Sequence, residues 1–290
     1  MVYDLLLLAG LICLCVLIGY LLHDRLGLKF VPQNKSKITQ EMIDEMYNEI
    51  DDFEEELDGK IILLVDEISD ELDELGDCMI DIEDELRFIE IVSNTSDDIP
   101  LYIIITSDGG SVQSSDAIVR VLRERKNTIA VVPYKAYSAA SLIALTAETL
   151  IVGQYGLLSP FDPQMGFMFP NTKSQMFPSK ILMDLKKEDS LETTKMYQHD
   201  AKIYHEDNLK TVDEIFKDRY SKETIDKIKD AMCKGDVPHT KPFHRTDLIN
   251  LGLNVECEID PRFLIIASMG EELRRQCENK TDNKMTTFDD

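Results

Sequence analysis

Three short apolar runs set the rhythm of the middle of this chain. Leu101-Tyr-Ile-Ile-Ile105 predicts a strand that enters the turn Thr106-Ser-Asp-Gly-Gly110 and then a helix. Thr128-Ile-Ala-Val-Val132 predicts a second strand, followed by Pro133-Tyr-Lys-Ala-Tyr137 and a helix opening at Ser138-Ala-Ala-Ser141. Glu148-Thr-Leu-Ile-Val152 predicts a third, leading to Leu157-Leu-Ser-Pro-Phe-Asp-Pro-Gln164. Upstream, Ile38, Met42, Met46, Ile50, Phe53 and Leu57 recur every three or four residues. That spacing makes one face of a helix, with Asp and Glu filling the other. Such a helix either lies on its own domain or docks as a short coiled coil.

After Pro163 the pattern changes. Met165-Gly-Phe-Met-Phe-Pro170 and Met176-Phe-Pro178 form an apolar stretch punctuated by proline, suited to a substrate groove, an oligomer contact or packing under the core. Helices are predicted over 179–189, 191–218 and 221–234, the last stopped by Gly235. A short helix over 243–251 ends at Gly252, 262–277 is amphipathic, and 278–290 is a polar tail.

At the amino terminus, Leu5 to Leu22 carries no charge, and at ~1.5 Å per residue it nearly matches a bilayer core of ~30 Å. Asp4 before it and His23-Asp-Arg25 after it suit an uncleaved anchor better than a signal peptide. Arg25, Lys29, Lys35 and Lys37 follow the span, so the positive-inside rule puts the rest of the chain in the cytoplasm. The expected organisation is a transmembrane anchor (1–30), an acidic linker and amphipathic helix (31–58), a catalytic domain (59–255), and a C-terminal helix and tail (256–290).

The chemistry gathers around the glycine turn and the serine. Gly109 and Gly110 allow a sharp turn and close approach of a substrate carbonyl. Ser138 opens an apolar helix, where unpaired N–H groups favour an anion. Ala139 and Ala140 leave room for a peptide or acyl group. Serine is also a favoured helix cap, so either piece alone is weak; together they suit acyl transfer through an oxyanion. Ser141, one turn on, is a second candidate nucleophile.

Ser107-Asp-Gly-Gly-Ser111, Tyr137-Ser-Ala-Ala-Ser-Leu-Ile-Ala144 and Ser159-Pro-Phe-Asp-Pro-Gln164 resemble the serine dehydrogenase proteinase family. That family is related to signal peptide peptidase A and to the proteolytic subunit of Clp protease. Gly59-Lys-Ile-Ile-Leu-Leu-Val65 and Ile80-Asp-Ile-Glu-Asp84 look like its first strand and helix start, and His239-Thr-Lys-Pro242 with Leu251-Gly-Leu-Asn-Val255 like its late segment. The resemblance implies an α/β crotonase-like core of repeated β-β-α units, a peptide or protein substrate, no cofactor and a homo-oligomer. It casts Ser138 as nucleophile and Gly109, Gly110 and Ala139 as the oxyanion hole. Two departures are Asp108, where the family usually has proline, and Ser141, where glycine is common.

The base stays open between Lys187 (or its neighbour Lys186) and His239. The first fits the spacing of signal peptide peptidase A, and the second titrates near neutrality. Asp184, Glu188 and Asp189 oppose the lowered pKa that a lysine base needs. The Clp order would place a histidine near Phe161-Asp162, where none occurs, leaving Asp162 to orient a base or shape the pocket.

Composition narrows the rest. A formal net charge of −24 argues against a nucleic-acid partner. Of the six Cys residues, Cys13 and Cys15 fall in the apolar N-terminal run and Cys78, Cys233, Cys257 and Cys277 have no metal-ligand spacing; His199, His205 and His244 are scattered, and no metal is expected. The competing reading uses the same fold without proteolysis, as an acyl-CoA enzyme or a membrane scaffold.

Overall fold

The computed structural model describes residues 40–65, 80–167, 175–185 and 192–272. The expected anchor at Leu5–Leu22, the acidic run 66–75, Lys186, Lys187 and the tail 278–290 lie outside the described residues. Among the described residues no helix is long and apolar enough to cross a membrane.

Five parallel strands form the main sheet: β1 (Lys60–Val65), β2 (Leu101–Thr106), β3 (Thr128–Val132), β5 (Thr149–Val152) and β10 (Val255–Glu256), in that order across it. The first four follow one another across the sheet by helical crossovers, and β10 adds beside β5 only after the second sheet, the hairpin and the later helices. The crossovers are α2 (Ile82–Asn94), α3 (Val112–Glu124) and α4 (Ala139–Thr146).

Residues alternate faces along each strand, so both faces must be apolar if both are covered. Leu101, Ile103 and Ile105 of β2 join Phe88, Ile118, Leu122 and Ile143 of the crossover helices. Ile104 joins the opposite cluster with Ile61, Val131 and the helix α1 (Gln40–Leu57). There Met46, Ile50 and Phe53 meet Phe263 and Ile266 of the C-terminal helix (261–272). The acidic helix therefore lies on its own sheet, as one of the two sequence readings had it. Fully burying a residue such as Phe53 contributes roughly 1.5–3 kcal/mol. Glu54 also caps the edge of the sheet, accepting the Ile61 N–H at 2.7 Å.

A second, three-stranded sheet lies beside the first: β4 (Lys135–Ala136), β6 (Leu157–Leu158) and β9 (Phe243–His244). A bridge between Ser107 and Ala136 ties the glycine turn to it. The unit β3-β4-α4 is thus one β-β-α repeat of the kind expected, with its long strand in one sheet and its short strand in the other.

The proline-punctuated stretch folds back as an antiparallel hairpin, β7 (Gln164–Phe167) and β8 (Gln175–Pro178). It continues into α5 (Ser179–Asp184), and then come α6 (Glu192–Phe216) and α7 (Lys222–Ile228). Two expectations change here. The helix foreseen over 221–234 becomes π-helical over Lys229–Cys233, and the one foreseen from 243 begins as strand β9 before α8 (Arg245–Leu251). Phe243 leaves the helix because its backbone pairs with Leu158 and its ring is buried. Gly235 (φ 71°) and Gly252 (φ 97°) take the left-handed conformations of their expected helix stops.

Candidate active site

The nucleophile candidate sits at a sharp transition from β4 to α4. Ser138 has φ 51° and ψ −123°, a backbone conformation rare for any residue but glycine, which costs on the order of 1–3 kcal/mol. Its hydroxyl makes no capping hydrogen bond, so capping does not account for the serine. The strained turn is held from behind instead. The Ser138 N–H donates to Ser159 Oγ at 2.9 Å, and Ser159 N–H donates to Ser141 Oγ at 3.0 Å. Ser141 is fully buried and its hydroxyl donates to the Ala136 carbonyl, outside the helix. It locks the turn and is closed to substrate.

The glycine turn packs directly against this transition. Ser107 N–H donates to the Lys135 carbonyl, and Tyr137 N–H donates to the Ser107 carbonyl. The Asp108–Lys135 ion pair, 2.6 Å long, spans the same junction. Burial, helped by the Asp108 charge, raises the Tyr137 phenol. A Cβ on Gly109 would lie 2.7 Å from Ser138 Cβ and 3.1 Å from the Ala139 nitrogen, and φ there is +107°. A Cβ on Gly110 would collide with the backbone of Ile80.

The amide of Gly109 donates to Ser107 Oγ at 3.0 Å, so Gly109 contributes space rather than a free donor. Among the described residues, the Gly110 and Ala139 amides carry no hydrogen bond. Ala139 is the first residue of its helix, where the N–H has no intrahelical acceptor. An unused amide next to Ser138 and a second in the glycine turn that packs on it are the kind of donor an oxyanion site requires.

A histidine and a buried aspartate complete the cluster. Ser138 Oγ lies 3.0 Å from His239 Nε2, and His239 Nδ1 lies 2.7 Å from Asp162 Oδ1. Neutral imidazole with its proton on Nδ1 satisfies both: the ring donates to the carboxylate and accepts the serine hydroxyl. The Asp162 side chain is 1% exposed and that of His239 23%, so the carboxylate is buried and the imidazole partly open to solvent.

Tertiary ties bring these two residues together from distant places. The prolines of Ser159-Pro-Phe-Asp-Pro163 favour extended backbone. Phe161 N–H donates to the Met232 carbonyl of the π-helix, and its own carbonyl accepts from Asn208 of α6. His239 follows that π-helix after the turn at Gly235. Burial disfavours the charged forms of two titratable neighbours near Asp162: it pushes the Cys233 thiol well up and, with the Lys180 charge, lowers His205.

Of the expected site residues, the structure gathers Ser138, Gly109, Gly110, Ala139 and His239. Lys187 and Lys186 lie outside the described residues. Asp162 occupies the place where the Clp order would put a histidine. The constellation therefore runs serine, aspartate, histidine along the chain. Ser159 and Gln164 had no individual role in the sequence reading. Both lie in a motif it singled out, but their contacts span 21 and 75 residues and leave no local pattern. No group of His, Cys, Asp and Glu among the described residues could hold a metal ion.

Residues 15–274 match a family described as ClpP-like SDH-type serine proteinase. The protein MJ1495 of Methanocaldococcus jannaschii is 28% identical over 184 residues, covering 62% of this chain and 60% of the relative's own length. Among solved structures, an alanine mutant of the 1510-N membrane-bound stomatin-specific protease is similar at 14% identity and a TM-score of 0.45, covering 65% of this chain and 79% of that one. ClpP1 from Listeria monocytogenes is similar at 16% identity and a TM-score of 0.43, covering 73% and 98%.

Proposed function

The chain belongs to the ClpP-like SDH-type serine proteinases, and on that premise we propose that it cleaves polypeptides with Ser138 as nucleophile and His239 as base. The observation that carries the assignment is the unbroken line Asp162 Oδ1, His239, Ser138 Oγ, with contacts of 2.7 and 3.0 Å.

In the proposed reaction His239 Nε2 removes the hydroxyl proton as Ser138 Oγ attacks the scissile carbonyl. The Gly110 and Ala139 amides donate to the oxyanion that forms, and Asp162 stabilises the imidazolium. His239 then passes its proton to the leaving amine, and the acyl-enzyme is released by water through the same steps. General acid–base help of this kind contributes about 10²–10⁴-fold, and each oxyanion donor about 10²–10³-fold. No cofactor enters the scheme.

The uncharged Leu5–Leu22 run and the basic residues after it support a single-pass anchor with the catalytic domain in the cytoplasm, so membrane-associated proteins are natural substrates. Met196, Tyr197, Ile203 and Tyr204 expose apolar surface along α6, which further copies of the chain would cover in a homo-oligomer.

A fluorophosphonate probe tests the core of this proposal. It should label the wild type covalently and leave Ser138→Ala unlabelled, in step with loss of peptide hydrolysis. A folded wild type that neither reacts nor hydrolyses a broad peptide library would overturn the peptidase reading. Carbonate extraction of membranes tests the anchor separately, and release of the full chain into the supernatant would refute it.

A further inference from the structure

We propose that Gln164 is the positioning residue of this site, acting on the reaction through Asp162; the inference rests on the peptidase reading above. The Asp162 carboxylate is buried and has two oxygens to satisfy. Oδ1 takes the His239 Nδ1–H, and Oδ2 takes the side-chain amide of Gln164 at 2.7 Å. The same Nε2 reaches the Asp162 main-chain carbonyl at 3.3 Å and stands 3.1 Å from His239 Nδ1. Among the described residues no other side chain donates to Oδ2. Gly235 closes its remaining side: a Cβ there would lie 3.2 Å from that oxygen.

The position of Gln164 is set by the fold rather than by its own flexibility. It opens β7 and pairs with Pro178, while the Ser179 N–H donates to the Pro163 carbonyl at 2.8 Å. The backbone on which the amide rides is therefore pinned on both sides of the hairpin.

The chemistry also favours an amide here. A lysine or arginine in its place would neutralise Asp162 and weaken its hold on the imidazolium. A neutral donor turns the carboxylate without cancelling its charge. The other groups around Asp162 leave that task to Gln164. Lys180 is paired with Asp184 and Asp236, and burial disfavours the charged forms of Cys233 and His205.

The test uses the full chain with Gln164→Met, which keeps length and removes the donor, and Gln164→Glu, which adds a carboxylate beside His239. Gln164→Met should lower kcat about tenfold with KM within about twofold. Gln164→Glu should move the acid limb of kcat/KM to higher pH by about one unit, because a second anion favours the imidazolium. Gln164→Met should move the same limb the other way, because a carboxylate turned from the ring stabilises the imidazolium less, and a merely structural role would not move it. If Gln164→Met does not fold, Gln164→Asn, which withdraws the amide by one methylene, should show the same loss of kcat. An active wild type whose variants keep its kcat and its acid limb overturns the positioning role alone. A wild type with neither hydrolysis nor probe labelling overturns the peptidase reading and this inference with it.

Discussion

The two halves of the site are held by different kinds of bond. The proposed oxyanion half, from Ser107 to Ser141, is fixed by backbone: the Ser107 bridge to Ala136, the Ile80 bridge to Gly110, and glycines pressed against neighbouring main chain. The proposed base half, Asp162 and His239 with Gln164, is fixed by side chains that meet across 75 to 101 residues of sequence. Backbone ladders are stiff, and bare Cα positions have no room to give. Side-chain hydrogen bonds can be lost one at a time. Substitutions in the first half should therefore act on fold and chemistry together, and those in the second on chemistry alone.

The sharpest break of that contrast is in the base half. His239→Ala should lower kcat by about 10³-fold or more while the melting temperature stays within a few degrees, because the ring is partly exposed and packs on no core cluster. Lys187→Ala should keep activity within about threefold. Progress curves on one fluorogenic peptide, with parallel thermal melts, decide between the two bases.

Gly109→Ala probes the oxyanion half. The new methyl meets Ser138 Cβ and the Tyr137 carbonyl at φ +107°, so the turn must shift. We expect a kcat loss of about 10²-fold from displaced donors, together with a lower melting temperature. Loss of activity without loss of stability would show that this turn is softer than its ladder implies.

The smallest effect lies away from both halves and serves as a control. Arg262 stacks on Phe53 and pairs with Glu56 and Asp260, whose carboxyls it holds below their usual range. A lowered carboxyl favours the ionised folded state. Its contribution is thus present above the unfolded value near ~4 and is lost as pH falls through the folded values. Arg262→Met should lower Tm by about 2 °C at pH 7, and the difference should shrink toward the part due to stacking on Phe53 as pH falls through the folded carboxyl values. Activity should be unchanged throughout.

Read from residues, the local parts of this protein were open to inspection. Strand, turn and helix boundaries in 101–152 follow from contiguous apolar runs and glycines, so Gly109, Gly110, Ser138 and Ala139 could be named together. The amphipathic helix α1 could be named too, because its face repeats every three or four residues. Its partner could not: Phe263 lies some two hundred residues away, and nothing in either segment points to the other. Ser141 illustrates the same limit at short range. Its type and spacing suit a nucleophile, yet burial and the Ala136 carbonyl make it a lock.

The sequence by itself determined the family, the parallel β-α succession and the half of the site that fits within one strand-turn-helix passage, since φ/ψ preference and apolar spacing act between near neighbours. Only the tertiary structure decided which residue faces Ser138. His239 reaches it because the Phe161 amide bonds the Met232 carbonyl, which brings the Asp162 segment against the π-helix, and the turn at Gly235 then returns the chain to the site. That contact depends on packing between α6, the hairpin and the second sheet, and no periodicity within a single segment encodes it.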